Sequence, residues 1–241
     1  MDAGQQPVTA ITGLTQPTGQ GDGARVMSRL SAEMLPLVQR LALTYAPVSA
    51  RETILTLLLL DNRLASILQQ RGEAMIAQIK LAWWRDRLGE NPESWPQGEP
   101  LLARLSSLPF APASLGPLVD GWEVLLAEEL SPAGLHEFAK GRVLVWSQLA
   151  DGAEVSRAAG QWALADLAIN LGEGEERDRV QRMALDYPGE AQATTQPLPR
   201  KLRSLAVLHR LTLRALEKGS REVLDGPAAG LLALRIGLTG R

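Results

Sequence analysis

The chain has 241 residues, 45% of them apolar and only 4% aromatic, with a net charge of −2. That length supports one sizeable hydrophobic core, and the charge excludes a nucleic-acid binder held by bulk electrostatics. Cysteine is absent, which excludes disulfides, thiolate zinc sites, iron–sulfur clusters and a cysteine nucleophile.

Residues 1–26 are rich in Gly, Gln, Thr and Pro. Such a segment buries too little apolar surface to offset its ordering entropy, so it is expected to be a disordered extension. A helical domain over 27–241 follows, with Met27 as an alternative start. The N-terminus lacks a basic segment before an apolar run and does not read as a signal peptide.

Ser31 is a candidate N-cap for a first helix carrying Leu35, Val38, Leu41 and Ala42. Tyr45-Ala46-Pro47 breaks it. Ser49 and Glu52 form a capping box for a second helix reaching about Gln70, with Gly72 as its stop. The next helix, about 73–89, holds Gln78-Ile79-Lys80-Leu81-Ala82-Trp83-Trp84-Arg85-Asp86-Arg87-Leu88. Its apolar residues fall in two rows: Ile76, Ile79 and Trp83, then Ala77, Leu81, Trp84 and Leu88. Two rows predict packing from two sides, with both indoles buried near the centre of a bundle. Gln78 and Arg85 sit seven residues apart beside those rows.

Residues 89–113 read as a Pro- and Gly-rich connection with a short helix near 99–107. Further helices are expected around Leu115–Leu126, after the Ser131-Pro132 start, over 154–171 and over 175–186. Pro188 to Pro199 is a loop, 199–218 a strongly amphipathic helix, and 227–237 a last short one. Alternating β-type runs are absent, so the fold class is all-α. The longest apolar run, Ile54 to Leu60, is far below the roughly 20 residues that span a bilayer. A cytoplasmic location is the default.

Nucleotide loops, nucleophile elbows and zinc-protease helices are missing. His136 and His209 have no ligand-spaced partner and read as surface or core residues. Asp120 and Glu123 could share a cation but read better as a solvated acidic edge. Arg203, Arg210 and Arg214 share a helix face that could meet phosphates, though a plain surface face is the simpler reading.

The pattern Gln78-Ile79-x-Leu81-x-Trp83-Trp84-Arg85-Asp86-x-Leu88 resembles the squalene/phytoene synthase superfamily, in the branch that includes a mitochondrial complex I assembly factor. The resemblance implies an all-α domain with a central cavity, where two facing helices present aspartates that hold Mg²⁺ against a prenyl diphosphate. Leu59-Leu60-Asp61-Asn62-Arg63-Leu64-Ala65 corresponds to the first of those helices, and Gly160-Gln161-Trp162-Ala163-Leu164-Ala165-Asp166 to the second. It makes Asp61, Asp166 and Asn170 the metal or diphosphate candidates, and Gln78, Trp83, Arg85 and Trp162 the cavity-lining candidates. The aspartate clusters are eroded. Ala65-Ser66-Ile67-Leu68-Gln69 stands where an active synthase shows Asp-Asp-x-x-Asp, and Ile169-Asn170 replaces an Arg-Asp step. The implied function is therefore a non-catalytic prenyl- or lipid-binding factor aiding respiratory-complex assembly, in the cytoplasm or peripheral at the inner membrane. The alternatives are an atypical prenyltransferase using Mg²⁺, and a helical interaction module with no cavity.

Overall fold

The computed structural model describes residues 31–69, 74–187 and 197–240. The expected tail over 1–26, the alternative start at Met27 and the stop at Gly72 lie outside them. The described residues form ten α-helices and no strand: α1 (Leu37–Thr44), α2 (Val48–Gln69), α3 (Ala74–Gly89), α4 (Pro100–Leu105), α5 (Gly116–Val124), α6 (Pro132–Ser147), α7 (Ala153–Asn170), α8 (Glu175–Leu185), α9 (Arg203–Glu217) and α10 (Gly226–Thr239). Among them no helix is long and apolar enough to cross a membrane.

Local chemistry accounts for most boundaries. Ser131 caps α6, its Oγ accepting the Gly134 N–H at 3.1 Å, with Pro132 at the first helical position. Ser31 accepts the Glu33 N–H, but only a single 3-10 turn follows before α1 begins at Leu37. The capping box expected at Ser49 does not form. Helix α2 starts at Val48, the Pro47 carbonyl accepts the first amides, and the Glu52 carboxylate takes a bond from Arg104 of α4 at 2.7 Å.

Two helices form the middle of the molecule. The apolar run from Ile54 to Leu60 buries α2 on several sides, with Ile54 and Leu60 fully enclosed. Helix α7 packs on α6, α8 and α9. Its small residues Ala158, Ala159, Gly160, Ala163 and Ala165 are all buried, which lets three neighbours approach at once. A Cβ at Gly160 would run into the Tyr187 ring.

The Trp-Trp helix is not central. Helix α3 lies at the edge, against α5 and α2. Its row of Leu81, Trp84 and Leu88 is buried, Trp84 at 2% exposure. The row of Ile76, Ile79 and Trp83 faces outward, with Trp83 36% exposed and Ile79 64%. Two apolar rows on this helix reflect one buried face and one exposed face, not a helix packed from both sides.

Candidate functional site

The two helices that carry the candidate carboxylates face each other across α6, and one side chain of α6 joins them. Phe138, Ala139, Arg142, Val145 and Trp146 share the inner face of α6, and all five are buried. Arg142 is therefore a cation on an apolar face, 3% exposed. Its Nε donates to Asp61 Oδ1 at 3.1 Å, and its Nη2 lies 2.9 Å from Asp61 Oδ2, a two-pronged grip on one carboxylate. Its Nη1 lies 3.2 Å from Asp166 Oδ2 and donates to the Ala163 carbonyl at 3.3 Å. The Trp122 indole Nε1 donates to Asp61 Oδ1 at 2.8 Å.

Aromatic rings wall the guanidinium. Its carbon lies 4.8 Å from the Trp162 ring centre, 4.9 Å from Phe138 and 5.1 Å from Trp122. Burial disfavours the Arg142 charge, but Asp61 and Asp166 outweigh it and hold the guanidinium above its ordinary pKa. At Asp166, desolvation raises the carboxyl above its ordinary value, Arg142 opposes this, and Asp61 adds to it. Asp166 is the outer member of the triad, its side chain 28% exposed against 7% for Asp61.

Arg142 reaches this place because α5 and α6 approach closely. A Cβ on Gly121 would stand 3.2 Å from the Phe138 backbone, and one on Gly141 would collide with the Pro117 carbonyl. Both glycines sit at the crossing, one of them next to Arg142.

Outside the triad lies a cavity of about 510 Å³, a size usual for small-molecule sites. Arg142 and Asp166 line it together with Asn62, Ala65, Leu68 and Gln69 of α2 and with Leu167 and Asn170 of α7. Ala65, Leu68 and Gln69, from the stretch that stands in place of the first aspartate cluster, thus do face a cavity, but without carboxylates. Asn170 stands at its rim, Nδ2 donating to the Asp166 carbonyl at 2.8 Å. Gln39, only 5% exposed, meets Asn62 there: Asn62 Nδ2 donates to Gln39 Oε1 at 2.6 Å and Gln39 Nε2 to Asn62 Oδ1 at 3.4 Å.

Of the proposed site residues, Asp61, Asp166 and Asn170 are brought together, and Trp162 flanks Arg142. The other three lie elsewhere. Gln78 is exposed on α3. Arg85 is clamped by Asp120, at 2.6 Å, and by Glu123 on α5. That pairing also explains the acidic edge at Asp120 and Glu123. Trp83 borders a separate surface hollow with Ile67, Ile79 and Trp84. These three reach outward or sideways because α3 turns only one face to the core.

Arg142, Gln39 and Asn62 were not singled out from the sequence. For Arg142 a signal existed: it falls on the row Phe138, Ala139, Val145 and Trp146, where a charge demands a buried partner.

Mg²⁺ does not fit this donor set. Both Asp61 oxygens already accept from Arg142, and one accepts from Trp122 as well. Of the two carboxylates that Arg142 holds, Asp166 alone lines the cavity, and no group of three or more His, Asp or Glu suited to a metal occurs among the described residues.

A second hollow, of about 680 Å³, is lined by Arg157, Gln161, His209 and Arg210. His209 is buried against Gln161 Oε1 at 2.8 Å. Burial, with Arg157 and Arg210 nearby, pushes its pKa down to about 3, so it is neutral. His136 is the exposed one and stacks on Tyr187.

The chain matched no family model, no curated protein and no solved structure.

Proposed function

We propose that this protein is a non-catalytic prenyl- or lipid-binding factor, built like a squalene/phytoene synthase whose metal chemistry has been lost. One observation carries the reading: the Arg142 guanidinium lies between Asp61 and Asp166, the carboxylates of the two helices from which the resemblance would build a metal site. A fixed organic cation there neutralises the carboxylates without offering open coordination positions to a diphosphate. The adjoining cavity supports a binding role and weighs against a plain helical interaction module.

A role in respiratory-complex assembly, in the cytoplasm or at the inner membrane surface, is the finer part of the proposal. It needs a partner-facing surface. The outward row of α3, with Met75, Ile76, Ile79 and Trp83, and the row Leu231, Leu234 and Leu238 of α10 are the exposed apolar faces available for it.

The test is incubation of the purified protein with farnesyl and geranylgeranyl diphosphate and Mg²⁺ or Mn²⁺. No diphosphate release and no C30 or C40 product is expected. Turnover that disappears in Asp61→Ala or Asp166→Ala would establish the alternative, an atypical prenyltransferase.

A further inference from the structure

The charges and amides around the 510 Å³ cavity bear on which amphiphile head it could take, an inference that rests on the lipid-binding reading above. The charged residues lining it are Arg142, Arg221, Asp166, Glu128 and Glu176. Arg142 is already engaged by two carboxylates. Arg221, at the rim, donates Nη2 to the Leu171 carbonyl at 3.1 Å. Glu176 accepts the Leu130 N–H at 3.3 Å. Carboxylates therefore outnumber guanidiniums on the wall, and Asp61 stands directly behind it. A diphosphate head would enter against a net negative wall, with Arg221, bonded to a neutral carbonyl, as the one lining guanidinium not already held by carboxylates.

Neutral hydrogen-bonding groups are what the cavity offers. Gln39, Asn62, Gln69 and Asn170 all line it. A primary amide carries two N–H donors and two acceptor lone pairs. Gln39 uses its Nε2 and its Oε1 once each, both toward Asn62, which leaves donor and acceptor capacity in a residue only 5% exposed. The rest of the wall is apolar, with Leu68, Leu125, Leu130, Phe138 and Leu167.

We propose that this cavity takes an uncharged amphiphile, an apolar chain ending in a hydroxyl or carbonyl, with the head hydrogen-bonded at Gln39 and Asn62 and the chain against Leu68, Leu125 and Phe138. A hydroxyl can donate to one amide oxygen while accepting from an amide N–H, matching the capacity left at Gln39. The charged triad then serves as a fixed floor and exchanges no group with the ligand.

Farnesol and farnesyl diphosphate share one chain and differ only in the head, so titrating the full chain with each, by calorimetry, reads the head alone. Farnesol is expected to bind at least about tenfold more tightly, with Mg²⁺ leaving the diphosphate no better. Gln39→Leu should weaken farnesol about three- to tenfold, the worth of one net hydrogen bond, in protein whose circular dichroism is unchanged. Farnesyl diphosphate binding as tightly as farnesol would overturn the inference and leave the lipid-binding reading standing. No binding of either would overturn both. Unchanged farnesol affinity in folded Gln39→Leu would overturn the placement of the head.

Discussion

Removing the Arg142 guanidinium would leave Asp61 buried with no counter-charge. Arg142→Met is therefore expected to cost about 3–5 kcal/mol in urea unfolding, the usual penalty for orphaning one half of a buried pair. Changing all three members together, Asp61→Asn, Arg142→Met and Asp166→Asn, should cost less than the single Arg142→Met change, because no charge is then stranded. Costs that simply add would mean that the three groups do not act as one network. Arg142→Lys should not restore stability, since an ammonium cannot grip Asp61 with two parallel bonds and still reach Asp166.

His209 gives a pH signature at the same scale. Its native pKa of about 3 lies below the ordinary 6.5, so between these values the unfolded chain binds the extra proton. The stability His209 contributes is full above pH 6.5 and is lost as pH falls toward 3. Between pH 7 and 4.5 the loss should be about 2–3 kcal/mol. His209→Gln keeps a donor for Gln161 and removes the titration, so its unfolding midpoint should fall less over that range. Asp166, shifted upward, works in the opposite sense: its ionised form is disfavoured in the fold, and the strain eases as pH falls through its native value. Comparing His209→Gln with the wild type cancels that contribution.

At the scale of elements, the crossing of α5 and α6 sets where Arg142 stands. Gly141→Ala would drive a methyl group into the Pro117 carbonyl. Backbone cannot swing aside as a flexible side chain can, so a net loss of about 1–3 kcal/mol is expected, despite the better helix propensity of alanine. Helix α3 gives a contrast within one element. Trp84, at 2% exposure, should cost about 3–5 kcal/mol on truncation to alanine, whereas Trp83, at 36%, should cost less than about 2 kcal/mol because much of its surface is already in water. Equal losses in the two denaturation curves would contradict the edge position of α3.

Across the whole molecule, helical periodicity made the all-α architecture readable, and the helices fell close to where caps, prolines and apolar rows put them. Ser131-Pro132 marked the start of α6 because capping is local chemistry. Centrality was misread. The two apolar rows of α3 suggest a core helix, yet the middle belongs to α7, where small residues permit close approach and leave a weaker imprint on the sequence. The resemblance put Asp61 and Asp166 on facing helices; the apolar row around Arg142 signals a buried cation but not its partners, because the pairing spans α2, α6 and α7 and depends on the approach that Gly121 and Gly141 allow. Arg85 was misassigned for a related reason: its partners, Asp120 and Glu123, come from a helix 35 and 38 residues away.

In the proposed reading, Arg142 holds the place between Asp61 and Asp166 to the exclusion of a divalent metal. Electron paramagnetic resonance of Mn²⁺, titrated into the full chain with and without farnesyl diphosphate, measures this directly. Without farnesyl diphosphate the free six-line signal should persist undiminished at stoichiometric metal, and with it the signal should fall only as far as in a protein-free farnesyl diphosphate blank, identically in wild type and in Asp166→Asn. Loss of that signal in the wild type, recovered in Asp166→Asn, would place a metal on these carboxylates and contradict the claim.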